Sequence, residues 1–290
     1  MQAKKKHYLN FFKEQEILTA LRLANRAFLW YDSITVSKKQ RGARMIYELA
    51  GLRVNIKNRC RYTSEFCKEY LSVDQLSPAA FEAEVTGEEF AEEKKQSEGF
   101  SDGYIENICL YRSICLQMPK YGRFLLHSAV IEYENNAYAF LGRSGIGKST
   151  HTALWINNVK GAEILNGDKP IIGFDESAAD GEKFVAYGTP WNGKENRGKK
   201  GQAPLKALCF IERAKENTIE KIAVGEAADR IFTQILLPSE REAAEKTLEL
   251  MDMFVRTVPA YVLHCNMETD AMKTSYKALV GREFTQNEQK

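Results

Sequence analysis

Residues 142–150 read Gly-Arg-Ser-Gly-Ile-Gly-Lys-Ser-Thr and satisfy G-x-x-x-x-G-K-[ST] at every position. Glycines at 142, 145 and 147 let the backbone turn tightly and aim successive N–H groups inward, where side chains would otherwise block a triphosphate. The segment Ser144, Gly145, Ile146, Gly147, Lys148, Ser149 and Thr150 would line that cradle, with Lys148 as a point charge for the β and γ phosphates. The Ser149 hydroxyl can hold Mg²⁺, so ATP and Mg²⁺ are the expected cofactors. Twenty residues beyond Lys148, Asn166-Gly167-Asp168 closes an apolar run. An acid there suits a second contact to the Mg²⁺ shell or a base for a phosphoryl acceptor.

These residues must be positioned by the elements around them. Ala137–Leu141 is apolar and strand-like before the loop, and 150–156 has helical character after it. The positive end of that helix dipole would therefore face the phosphates. A turn at Lys160-Gly161 and a strand 162–165 lead to Asp168. Upstream, 124–133, the Asn-rich turn 134–136 and 137–141 read as a hairpin, which gives the loop strand an antiparallel partner. That predicts an α/β fold with a mixed sheet rather than an all-parallel one.

The order His127-Ser-Ala-Val-Ile, hairpin, Gly-x-Ser-Gly-x-Gly-Lys-Ser, helix, Lys-Gly, strand, Gly-Asp resembles the catalytic domain of HPr kinase/phosphorylase, which shares its P-loop core with phosphoenolpyruvate carboxykinase. The resemblance covers residues 122–175 well and is looser to about 280. It implies an ATP-dependent phosphotransferase that moves the γ-phosphoryl group to a hydroxyl, on a small molecule or on a Ser of a protein or peptide. His127 falls where that family has a histidine near the transferred phosphate. Asp168 or His127 would take the acceptor's proton. Two departures stand out: Gly167 occupies the first of two adjacent acidic positions, and Thr150 follows Lys-Ser where those kinases have Glu. The loss of a paired acid keeps a second reading open, a nucleotide-responsive binding module without transfer. Carboxykinase activity fits less well, because the chain is short for that family and its carboxylate-clamp and second-metal residues are not found.

After a hairpin of 170–174 and 183–187, residues 188–201 carry Lys194, Arg197, Lys199 and Lys200 against one acid, Glu195, on several glycines. Such a loop could close over phosphates, with Arg197 favoured for its planar fork, and Trp191 could stack on a substrate or pack beneath the loop. The remaining C-terminal elements read as a buried strand 205–211, a strand 219–224, a helix of about 226–237, and a helix to Val255 capped by Ser239. A strand 258–265 and a helix 268–280 follow, with fraying after Gly281 and a tail at 283–290.

The first 44 residues hold ten lysines and arginines against three acids, so this arm carries +7 of a chain whose total is +2. It reads as a basic, partly amphipathic helical arm or an extension upstream of Met45. Residues 45–121 form an N-terminal lobe of short strands and helices with no motif for separate chemistry, and 122–282 the catalytic domain. The small net charge gives no general pull toward nucleic acid. The six cysteines show no metal spacing and suit a reducing, cytoplasmic setting. No apolar run is long enough to span a membrane. Expected partners are the nucleotide and an unidentified acceptor, with homo-oligomerisation left open.

Overall fold

The computed structural model describes residues 43–290, so most of the basic arm lies outside the described residues. The chain divides into two compact units, up to Met118 and from Pro119 onward. In the first unit, β1 (Ala43–Leu49) and β2 (Leu52–Asn58) form a hairpin, and β3 (Phe81–Glu84) joins β2 in parallel. Between them lies a short helix not anticipated from the sequence, α1 (Arg61–Phe66), ahead of the 3-10 turn Lys68–Tyr70. The charged stretch after β3 is the helix α2 (Gly87–Gln96). Thr86 and Glu89 start it by exchanging bonds in a capping box, which satisfies two otherwise unpaired amides. Against it packs α3 (Asp102–Gln117), which buries Ile105, Leu110, Tyr111 and Ile114.

The second unit is built on a mixed sheet. The strands in chain order are β4 (Arg123–Leu125), β5 (Ser128–Tyr133), β6 (Asn136–Leu141), β7 (Glu163–Asn166), β8 (Ile171–Phe174), β9 (Phe184–Tyr187), β10 (Gln202–Arg213), β11 (Thr218–Lys221) and β12 (Ala260–Cys265). They pair in the order β4-β8-β9-β10-β6-β5-β7, with β12 on the far half of β10 and β11 beyond it. The tight turn between β5 and β6 puts Glu134 and Asn135 at positive φ, the conformation a two-residue hairpin requires. β6 runs antiparallel to β5 and parallel to β10, so the expected mixed α/β sheet is present.

Alternation along β6 explains the layering. Ala137, Ala139 and Leu141 point into one core with Phe124, Leu208, Phe210 and the helices α5 (Val224–Phe232) and α6 (Arg241–Thr257). Tyr138 and Phe140 point the other way, onto Trp155 of α4 (Lys148–Asn158) and Tyr276 of α7 (Thr269–Val280). Each fully buried large side chain of this kind contributes roughly 1.5–3 kcal/mol of burial. Helix α4 is therefore held against the sheet by Trp155, and its N-terminus is anchored at the end of β6.

Several expectations change. Residues 124–133 are two strands, broken at Leu126-His127, although the whole segment runs opposite 163–174: Leu126 N–H donates to Pro170 O and Ser128 N–H to Asp168 O. β5 lies between β6 and β7, so the strand leading to Asp168 pairs with β5 and not with the loop strand. Helix α5 ends at Phe232, well short of 237. The chain straightens there so that Ile235 bridges Leu126 and the Gln234 carbonyl accepts from His127 N–H. The cap of α6 is Glu240, whose carboxylate accepts from the amides of Glu242 and Ala243, one residue beyond the expected Ser239. The tail is fastened rather than frayed. Gln289 bridges Val159, Lys160 N–H donates to Glu288 O, and Lys290 Nζ donates to Ile156 O at the end of α4. The Lys290 ammonium on Ile156 O, with Lys290 N–H on Asn158 O, satisfies carbonyls that a helix C-terminus otherwise leaves unpaired. The six cysteines are free. Among the described residues no helix is long and apolar enough to cross a membrane.

Candidate functional site

The loop from Gly142 to Gly147 joins the end of β6 to the first turn of α4. Gly142, Gly145 and Gly147 all take positive φ, 138°, 76° and 124°, which side chains rarely adopt. A β-carbon on Gly142 would also press on Ile146 at 3.0 Å. The glycine spacing is thus a backbone requirement of this turn. Lys148 is buried, with its ammonium folded back onto Gly142 O at 2.8 Å and Arg143 O at 3.5 Å. Ser149 and Thr150 are exposed at the head of α4, and Ser144 is half-buried. From the end of β10, Arg213 donates to Ile146 O at 3.1 Å and to Gly145 O, so it straps the loop from the carbonyl side. The strand read from sequence as 205–211 stops short of Arg213, which therefore received no role. Its signal was positional, since β10 lies beside β6 in parallel.

His127 and Asp168 meet across two breaks in strand pairing. β5 is antiparallel to both β6 and β7, so its first residues lie at the same sheet edge as the ends of β6 and β7. Ser128 is in register with Leu141, and the cradle begins one residue later. Two strand spacings, about 10 Å, separate the axes of β6 and β7, and His127 immediately precedes β5, the strand between them. His127 Nε2 lies 3.3 Å from Asp168 Oδ1, and Lys169 Nζ lies 2.9 Å from Asp168 Oδ2. Both side chains of the His–Asp pair are largely enclosed, 18% and 25% exposed.

Burial pushes the His127 imidazole below its usual range. The Asp168 carboxylate opposes that shift, while the Lys148 and Lys169 ammonium groups add to it. His127 is accordingly neutral near pH 7, and the charge of Lys148 is felt there. Burial alone would raise the Asp168 carboxyl, but Lys169 and His127 outweigh it and hold the group ionised well below the ordinary carboxylate range.

Asn166, fully buried, sets this geometry. Its Oδ1 accepts from the amides of Asp168 at 2.9 Å and Lys169 at 2.7 Å, and so forms the turn that presents the acid. Its Nδ2 donates to Thr189 Oγ1 at 2.9 Å and Asn192 Oδ1 at 3.0 Å. A buried amide that meets several backbone groups at once was not identifiable as such from the sequence.

The glycine-bearing loop 188–201 is held down along β7. Lys199 N–H donates to Leu165 O at 3.1 Å, and Asn166 bridges Gly198. Its glycines allow close approach rather than swing. A β-carbon on Gly188 would fall 1.9 Å from Lys199 O, and one on Gly167 would fall 2.6 Å from Asn192 O. Gly193 lies against Asp168, where a β-carbon would approach to 2.9 Å. Lys199 Nζ pairs with Glu132 at 3.1 Å and also with Glu163. The Arg197 guanidinium pairs with Glu195 at 3.3 Å and is half exposed, so it does not touch the cradle or Asp168. Trp191 is buried under the loop, which is the packing alternative of the two considered for it.

The side chains that could hold a cation bound with a nucleotide are the exposed Ser149 hydroxyl and the Asp168 carboxylate. Among the described residues no group of three or more His, Cys, Asp or Glu gathers as a metal cluster. That donor set suits Mg²⁺, which commonly takes one or two protein oxygens and completes its shell with phosphates and water.

No family model and no curated protein sequence matches the chain. Among solved structures, the Hpr(Ser) kinase/phosphatase from Coxiella burnetii is similar at 14% identity, over 46% of this chain and 88% of that one, with a TM-score of 0.21. At that TM-score the likeness is a weak, fold-level one and carries no inference about chemistry.

Proposed function

We propose that the unit from Pro119 onward is an ATP- and Mg²⁺-dependent phosphotransferase that moves the γ-phosphoryl group to a hydroxyl of a small molecule or of a Ser in a protein or peptide. The observation that carries this reading is the glycine turn at the β6–α4 junction, with Lys148 at the helix start and the His127–Asp168 pair on the same edge of the sheet. The amides of 145–149 would donate to phosphate oxygens, and Lys148 would exchange its carbonyl partners for the β and γ phosphates. Ser149 and Asp168 would hold Mg²⁺, which when bound offsets phosphate charge.

His127 is the better base of the two candidates, because Asp168 is held too acidic to accept a proton readily. With the Nε2 proton directed at Asp168, the neutral ring keeps its lone pair on Nδ1, its basic nitrogen. Asp168 then orients the ring. Lys194 and Arg197, on the loop whose Gly193 packs against Asp168, would supply positive charge for the transferred group.

One observation favours the second reading, a binding module without transfer: both oxygens of Asp168 already have partners, and the paired-acid position is Gly167 with no room for a side chain. Incubation with γ-labelled ATP, Mg²⁺ and a metabolite pool or lysate separates the two. Label that reaches an acceptor with the wild type, but not with Lys148→Ala or Asp168→Asn, supports the phosphotransferase. Nucleotide binding without transfer to any acceptor supports the module. No nucleotide binding sinks both.

A further inference from the structure

Resting on that reading, we propose that Lys169 is a built-in competitor for the metal position at Asp168. Its ammonium lies against Asp168 Oδ2, one of the two oxygens a cation at this carboxylate could use, so cation binding and release of Lys169 are one exchange.

The geometry is specific. Asp168 has two carboxylate oxygens, one facing His127 Nε2 at 3.3 Å and the other facing Lys169 Nζ at 2.9 Å. The Asn166 carboxamide fixes the backbone of both Asp168 and Lys169, so neither residue can leave by a shift of the turn. Thr189 Oγ1 reinforces that arrangement by donating to Lys169 O at 2.9 Å. Gly193 packs on the Asp168 side chain from the loop, which restricts how far the carboxylate can rotate. The Lys169 side chain, four methylenes long, can change partner without disturbing the backbone. A divalent ion at Asp168 would therefore meet a cation already in place, and in a largely enclosed site the repulsion between the two positive charges favours displacement of one by the other. An ion delivered with phosphate oxygens carries compensating negative charge, whereas a bare ion does not. The exchange thus makes the site select a metal-nucleotide complex over free metal.

The test is a Mn²⁺ titration, read by electron paramagnetic resonance of free ion, with and without a non-hydrolysable ATP analogue. It uses the full chain and its Lys169→Met and Lys169→Arg variants. We expect free Mn²⁺ to bind Lys169→Met at least tenfold more tightly than wild type, and Lys169→Arg no more tightly than wild type. The nucleotide should improve Mn²⁺ binding much more in wild type than in Lys169→Met. Thermal unfolding of Lys169→Met should be lowered without metal and recover with Mn²⁺ more than wild type does. Should Lys169→Met not fold without metal, refolding it in Mn²⁺ gives the same reading, since recovery is expected only if the ion replaces the ammonium. Wild type that binds Mn²⁺-nucleotide while Lys169→Met gains no affinity for free Mn²⁺, or fails to recover in it, overturns this inference alone. No Mn²⁺-nucleotide binding by any of the chains overturns it together with the phosphotransferase reading.

Discussion

Replacing Gly167 by alanine tests whether the missing acid beside Asp168 is a vacancy or a filled space. The β-carbon would stand 2.6 Å from the carbonyl oxygen of Asn192 and 3.0 Å from that of Arg197, where ordinary contact begins at 3.4 Å. The loop backbone must therefore retreat by about 0.8 Å, the difference between 3.4 and 2.6 Å. Both obstacles are main-chain atoms of a loop held by Asn166 and Leu165, so a rotamer change cannot relieve them. Overpacking of this kind costs roughly 1–3 kcal/mol. Loss of glycine freedom in the unfolded chain returns about 0.4–1 kcal/mol, which leaves a net loss of about 1–2 kcal/mol. For a unit of this size that is a fall of roughly 2–8 °C in Tm. Differential scanning calorimetry measures it. Gly225→Ala is the control, since nothing lies within 4 Å of its β-carbon position, and we expect no loss there. A Gly167→Ala protein as stable as wild type would refute the packing argument. In that case Gly167→Asp would be a sterically open route to a paired acid.

Other outcomes follow from single contacts. His151 is buried against Phe140, and because Ser275 Oγ donates to Met272 O, His151 Nε2 must donate to Ser275, leaving Nδ1 bare and unpartnered. Burial lowers this imidazole from 6.5 to about 4, so its contribution to stability is complete above pH 6.5 and is lost as the pH falls through about 4. The loss amounts to about 3 kcal/mol, and urea unfolding between pH 7 and 4 should show a shallower decline in His151→Gln. Removing residues 283–290 deletes the bonds from Glu288 and Lys290 to the end of α4, and should cost about 1–3 kcal/mol at roughly 1 kcal/mol per bond. Hydrogen exchange should then rise at the C-terminal turn of α4 and leave α6 unchanged.

The parts of the site that were readable in sequence are the local ones. Glycine spacing, Lys148 and Ser149 lie within one turn, so backbone conformation and motif coincide. The β5–β6 hairpin was readable for the same reason, because Glu134-Asn135 sets its register. His127 and Asp168 were named separately, yet their contact depends on β5 inserting between β6 and β7 and on both strands breaking at one level. Nothing in the local sequence encodes that register. The turn that Asn166 Oδ1 makes with Asp168 and Lys169 is local, but its Nδ2 bonds to Thr189 and Asn192, like those of Arg213 to the cradle, join residues far apart in the chain, and no periodicity marks them. The loop 188–201 misled for a physical reason: glycine serves both motion and close approach, and only the neighbouring carbonyls show which. The tail reads as loose because its bonds to α4 run mostly through backbone groups of Glu288 and Lys290, which no local pattern marks, while Thr285 and Glu288 close a turn among themselves.

Isothermal calorimetry of Mg²⁺-ATP with wild type and Lys148→Ala tests the central claim most directly, after circular dichroism shows both chains folded. The cradle reading requires saturable heat with wild type, competed by Mg²⁺-ADP, and its loss or at least a tenfold weakening in Lys148→Ala. Absence of heat with wild type, or equal affinity in the two proteins, would contradict it.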